Sequence, residues 1–356
     1  MKVLVTGTDG YIGTVLAPML MERGHDVTGL DTGYYREGWL YNHASQLRPL
    51  SLNKDIRRIT ADDLLGFDAI VHLAELSNDP LGQIKPDITY LINYHGTAGL
   101  ARLAKHVGIP RFIYTSSCSV YGAGGAEFRT EQSETNPQTA YARCKILVEA
   151  ELQKLADDEF SPTILRNATA YGPSPHMRFD LVLNNLAGHA WTGGAIRMTS
   201  DGTPWRPIVH VLDICEAIAC TLSAPRNTVH NEIFNVGDTA ANYRVREIAE
   251  IIAGAFPGCE LSFGKSDGDT RSYRVAFDKI NSQLPGFRCR RNPAAAAAEL
   301  RELFAVIDLS KEVFESRAYT RLRQLEFLMK TGQLDHEFFW RQPAAVHQHE
   351  EKHVTA

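Results

Sequence analysis

The chain opens with a short apolar run, residues 2–5, that passes straight into "TGTDGYIG" and then into a helix-period stretch, "IGTVLAPMLMERG". Gly7, Gly10 and Gly13 stand three residues apart, with Asp9, Tyr11 and Ile12 between them. Glycine at these positions lets the backbone turn tightly and approach a pyrophosphate, which then lies on the positive N-terminus of the following helix. A glycine-rich loop alone says little. Here a strand precedes it, a helix follows it, and an acid closes the next strand, which is the context a dinucleotide site requires. That acid is Asp31, at the end of "DVTGLD". Its carboxylate can accept from both ribose hydroxyls and repels a 2′-phosphate, so the loop is read as a site for NAD rather than NADP. An acid capping a turn is the alternative reading of Asp31.

This opening dictates a fold. Residues 2–7, 26–31, 69–74 and 111–117 read as buried parallel strands, because they are continuous apolar runs rather than alternating ones. Helical stretches lie between them, and the one at 93–108 ends at Gly108 and Pro110. Such alternation predicts an α/β chain: a Rossmann-type doubly wound parallel sheet with right-handed crossovers. If residues 51–56 form the third strand, Asp55 and Ile56 lie where an adenine would sit. "HLAE" places Leu73, Ala74 and Glu75 at the carboxyl end of a strand, lining the cofactor cleft with little bulk from Ala74. The chain is expected to leave the sheet near residue 170 and return near 208–236. Residues 1–170 plus 208–237 would form the NAD-binding domain, and 171–207 plus 238–293 a smaller α/β substrate lobe over the sheet's carboxyl edge. A helical extension is expected over 294–342, since "NPAAAAAELRELF" places proline at a helix start and good helix formers behind it.

Composition narrows the class. With 44% hydrophobic and 22% charged residues and a net charge of −5, the chain reads as an ordinary soluble globular protein with no basic footprint for nucleic acid or acidic membrane. Six scattered cysteines form no disulfide framework and no zinc spacing, and "MKVLVTG" enters a strand at once, so a reduced, cytoplasmic setting is expected. The tail, 343–356, is polar. His347, His349 and His353 could bind a metal there, but a disordered tail is the simpler reading, and no residue is assigned to a metal.

Farther along come "YTSSCSVYG" and "TAYARCKI", in which Tyr141 and Lys145 share one helix face. A free phenol titrates at about 10, too high for a base at neutral pH, and a nearby ammonium together with oxidised nicotinamide lowers that value. With the G-x-x-G-x-x-G loop and "HLAE", these motifs resemble the extended short-chain dehydrogenase/reductases, and among them the nucleotide-sugar epimerase/dehydratase group. The resemblance covers roughly residues 1–290. It implies that Tyr141 is the base, that Lys145 assists it and holds the nicotinamide ribose, and that Ser117 hydrogen-bonds the reacting oxygen. It places Ser116 and Asn93 on the cofactor side, with a helix-start cap as the alternative for Asn93. Asn184, Asn185 and Arg206 fall at positions that hold the nucleotide diphosphate in the family, a guanidinium fork being suited to phosphate oxygens; Arg271 falls at one for phosphate or nucleotide ribose, and Asn167 on the substrate side. Each arginine alone could equally be a solvated or salt-bridged surface group. A homodimer through helices 93–107 and 141–156 is implied as well.

The resemblance leaves the reaction open. Family 4,6-dehydratases carry Asp-Glu immediately after the catalytic Thr; here Cys118 and Ser119 occupy those slots, so that elimination is disfavoured. Cys118 is either an acid/base or a small buried side chain filling space. The residues present suffice for a 4-epimerase, which removes hydride, lets the 4-keto sugar turn and returns hydride to the other face. A nucleotide-sugar ketoreductase or dehydrogenase needs the same residues, and a non-catalytic cofactor-binding sensor is a further alternative. Glu75 departs from the small residue the family commonly has after "HLA".

Overall fold

A computed structural model describes residues 1–341 except 43, 44, 46, 78–81, 83, 84, 124, 126 and 266–270. The expected tail, 343–356, with His347, His349 and His353, lies outside the described residues. Along the chain the strands are β1 (Lys2–Thr6), β2 (Asp26–Asp31), β3 (Leu50–Asn53), β4 (Ala69–His72), β5 (Arg111–Ser117), β6 (Phe128–Arg129), β7 (Ser161–Asn167), β8 (Thr169–Tyr171), β9 (Ala195–Arg197), β10 (Trp205–His210), β11 (Glu232–Val236), β12 (Asn242–Arg244), β13 (Glu260–Ser262) and β14 (Arg274–Val275).

Seven of them form one parallel sheet in the order β3-β2-β1-β4-β5-β7-β11. The order reverses direction between β1 and β4, and ligands of such sheets bind outside the strand ends at that switch point. Because successive side chains point to opposite faces, Val3 and Val5 join one core and Leu4 the other, all fully buried. Helices Gly13–Glu22 and Val211–Ser223 cover the first face, and Thr97–His106 and Ala140–Leu155 the second. This is the doubly wound sheet that the apolar runs predicted.

Three details differ from expectation. The third strand ends at Asn53; Asp55 instead caps a tight turn over Ile56–Arg58 by accepting the Arg57 N–H at 2.8 Å. The segment 162–173 is two strands, β7 in the large sheet and β8 outside it. β8 pairs with β10, and β10 with β12, in a three-stranded sheet. The C-terminal extension also divides. Helix Pro293–Val306, capped by Asn292, packs on helices Val182–Gly193 and Val245–Ala255, whereas Arg321–Lys330 buries Leu325 and Leu328 in the second face of the large sheet.

Candidate active site

A cleft of about 570 Å³ runs along the carboxyl ends of the large sheet. At its first end the glycine loop leaves β1. Gly7 adopts φ +79°, and a Cβ there would sit 2.9 Å from the Ala74 nitrogen; one at Gly13 would sit 2.2 Å from the Gly7 oxygen. Only glycine allows this loop, the helix start and the β4 exit to close together. Tyr11 and Ile12 line the cleft, while Asp9 contributes from beneath: its N–H donates to Asp31 at 3.0 Å. Asp31 also accepts from the Gly33 N–H at 2.8 Å. Burial first, and the charge of Asp9 next, push its carboxyl up to about 6. Asp55 and Ile56 line this end too, although the Asp55 carboxylate is gripped by the Arg57 fork at 2.7 and 2.9 Å.

At the other end Leu73, Ala74, Glu75, Ser116, Ser117, Tyr141, Lys145 and Asn167 face the same space. Thr139 starts their helix by accepting the Ala142 N–H, which fixes Tyr141 in the first turn and Lys145 one turn later. The Lys145 ammonium lies 5.3 Å from the centre of the Tyr141 ring. It donates to the Thr115 carbonyl at 2.5 Å and pairs with Glu75 at 2.5 Å, both side chains being about 3% exposed. Tyr114 donates to the other Glu75 oxygen at 2.7 Å. Burial raises the Glu75 carboxyl and Lys145 pulls it back down. Behind this wall His72 is held between the Thr6 and Thr97 hydroxyls, and burial, then Lys145, push its pKa down to about 3, so the ring is neutral. Under Ser116 a buried network anchors β5 to β7: Ser116 donates to Glu149 at 2.5 Å, and the Arg166 guanidinium grips that carboxylate at 2.6 Å.

Over the mouth, Arg206 and Arg271 both line the cleft, and the Arg206 guanidinium donates to the Arg271 carbonyl. The expected asparagines of this lobe do not line it. Asn184 is fully buried, accepting from the Gly172 N–H and donating to the Tyr11 hydroxyl and the Arg178 carbonyl; Asn185 donates to the Phe179 carbonyl. They shape the loop that carries Arg178 and Asp180, which line the cleft in their place and pair at 2.9 Å. Asn93 likewise works from behind, clamping both backbone groups of Leu76 from a wide π-type turn over Tyr90–Gly96. The acid/base reading of Cys118 is corrected: its thiol points into the core, donates to the Arg166 carbonyl, and is raised well above its ordinary pKa by burial.

Several lining residues escaped the sequence reading: Tyr34, Tyr35, Arg178, Asp180 and Arg321. The Arg-Phe-Asp triplet ahead of a predicted helix was a usable signal for Arg178 and Asp180. Arg321 carried none. The cleft suits a dinucleotide: besides the loop and Asp31, the Asn167 Oδ1 and Ser119 Oγ atoms are buried beside it without a hydrogen-bond partner among the described residues. Among the described residues no helix is long and apolar enough to cross a membrane.

A dinucleotide cradle at one end of a cleft and a Tyr/Lys pair at the other, its lysine buried, define an NAD-dependent enzyme of the extended short-chain dehydrogenase/reductase type. A family model described as the NAD dependent epimerase/dehydratase family matches residues 3–237, and the chain belongs to that family. It is 26% identical over 338 residues to a UDP-glucose 4-epimerase of Bacillus subtilis strain 168, covering 84% of this chain and 91% of the relative. It is 30% identical over 271 residues to a UDP-glucose 4-epimerase of Mycolicibacterium smegmatis, covering 72% and 82%. The solved structure of MoeE5 in complex with UDP-glucuronic acid and NAD superposes with a TM-score of 0.74 at 25% identity, covering 87% of this chain and 100% of MoeE5.

Proposed function

We propose that this chain is an NAD-dependent epimerase of a nucleotide-diphosphate sugar, acting through a transient 4-keto sugar. One observation carries the reading: a single cleft is lined by the glycine loop and Asp31, by Ser117, Tyr141 and Lys145, and by Arg206 and Arg271. The names of the two relatives, both UDP-glucose 4-epimerases, and the UDP-sugar held by MoeE5 support it. Bound NAD supplies a hydride acceptor that can return what it takes. Tyr141, as phenolate, takes the proton from the sugar hydroxyl, and Lys145 favours that phenolate through its charge. Ser117 hydrogen-bonds the reacting oxygen. Arg206 and Arg271 hold the diphosphate, so the sugar can turn over while its nucleotide stays anchored. With Cys118 directed into the core and Ser119 beside it, no carboxylate occupies the two slots after Ser117 to eliminate water.

Tyr141→Phe tests this assignment on a panel of nucleotide sugars. Turnover is expected to fall by about 10²- to 10⁴-fold, as loss of a general base does. Activity near that of the unaltered enzyme would remove Tyr141 as the base.

A further inference from the structure

The C-terminal extension reaches the Asp31 end of the cleft. After helix Pro293–Val306 the chain crosses to the adenosine end of the cleft and is sewn down there. Gln324 donates to the Tyr34 carbonyl at 3.1 Å, Arg317 pairs with Glu37 at 2.6 Å, and the Trp340 indole donates to the Thr32 carbonyl at 2.6 Å. The Tyr34 hydroxyl donates to the Phe338 carbonyl, and Arg57 to the Glu337 carbonyl at 2.8 Å. Thr32 and Tyr34 lie one and three residues after Asp31, so their bonds join the extension to the loop that leaves the strand end carrying that acid.

Within this strap Arg321 is only 4% exposed, yet it lines the cleft. Its guanidinium lies 4.0 Å from the centre of the Tyr35 ring, which fixes its plane. On one edge it meets His176 Nε2 at 3.5 Å. His176 is buried and kept neutral, its pKa pushed down to about 3 by burial and then by Arg321. Its Nδ1 is bonded to the Asp9 carbonyl of the glycine loop, so Nδ1 carries the proton and Nε2 accepts from the arginine. A relay thus runs from the extension to the loop beneath the expected pyrophosphate. Among the described residues no carboxylate forms a salt bridge with Arg321, and His176 is its one hydrogen-bond partner. A buried cation whose direct partner is a neutral imidazole is costly, and an anion in the cleft offsets that cost. Burial, then the repulsion of Arg178, lowers the Arg321 pKa to about 10, outweighing the opposing pull of Asp180 and Asp31.

We propose that Arg321 binds the phosphates of the dinucleotide cofactor beside the glycine loop, and that the strap carrying it slows that cofactor's release. The inference rests on the cofactor site and is independent of the sugar chemistry. A strapped-in cofactor also suits a reaction that returns its hydride instead of exchanging the cofactor each turnover.

The test measures NAD retained by the purified holoenzyme through gel filtration, and NAD and UDP affinities of the cofactor-stripped protein by calorimetry. Arg321→Met is expected to weaken NAD binding by about 10- to 100-fold, the loss of one charge-assisted phosphate contact, and to leave UDP affinity unchanged. Arg321→Lys, which keeps the charge, is expected to retain most of the NAD affinity. Unchanged NAD affinity in a folded Arg321→Met protein overturns the proposal, as does a loss confined to UDP. If the Met variant does not fold, Trp340→Ala decides: its indole is 40% exposed and outside the cleft. NAD release from that variant is expected to accelerate at least about tenfold, and an unchanged release rate overturns the proposal.

Discussion

Replacing Lys145 by methionine keeps the length of the side chain and removes its charge. The ammonium lies 5.3 Å from the Tyr141 ring centre, taken here as the seat of the phenolate charge. At an effective dielectric of about 20, a unit charge at that distance is worth about 3 kcal/mol, or about 2 pKa units. While Glu75 stays ionised, losing it raises the Tyr141 pKa by up to that amount and lowers the phenolate population near neutrality by up to about 100-fold. Turnover at pH 7 should fall accordingly, and the acid limb of the pH profile should move up by as much as about 2 units, so that the deficit narrows in alkaline buffer. A second effect follows from the Glu75 pair. The variant strands a buried carboxylate that keeps only the Tyr114 hydroxyl, and breaking such a pair costs about 3–5 kcal/mol. Proton uptake by Glu75, whose carboxyl burial already raises, limits that cost and also reduces the shift of the acid limb, because a negative charge is lost with the positive one. Kinetics across pH, with thermal unfolding of the same preparations, separates the two effects. An acid limb that stays in place while turnover falls would refute the electrostatic role of Lys145.

Two further outcomes are expected. Glu75→Gln leaves the Lys145 charge unmatched, so the acid limb should shift downward, opposite to the lysine variant; an unshifted limb would show that the pair does not reach Tyr141. Asp31 is expected to tie NAD affinity to pH. With its carboxyl at about 6 in the fold against 3.8 when free, the cofactor-free protein holds a proton there that the unfolded chain gives up earlier. That contribution to stability is complete below about 4 and lost as pH rises through about 6. NAD binding runs the other way, weakening as pH falls below about 6 and the carboxylate is lost. Asp31→Asn should flatten both dependences, read by calorimetry and thermal unfolding.

How far the sequence disclosed this site depends on how local each signal was. The glycine loop, Asp31 and the Tyr141/Lys145 pair follow from spacing within one strand, turn or helix, and the structure brings them to one cleft. Arg206 and Arg271 reach it as well. Asp55 was placed beside the adenine on the condition that residues 51–56 form the third strand, but its side chain competes as a turn cap. Asn184 and Asn185 have the right chemistry for a diphosphate, yet buried backbone groups nearby claim their amides. The Glu75–Lys145 pair joins β4 to a helix on the far side of β5, and Arg321 joins the extension to the glycine loop. No periodicity or neighbouring residue encodes those meetings, because they exist only once the sheet is assembled.

The central claim is that a hydride leaves one sugar carbon and returns to it within a single turnover. UDP-glucose carrying deuterium at C4 tests it directly in the purified holoenzyme. The expected product is the C4 epimer with its deuterium retained and no net reduction of the cofactor. Reduced cofactor accumulating in proportion to the sugar consumed, with deuterium lost from the product, would contradict the account and mark a dehydrogenase.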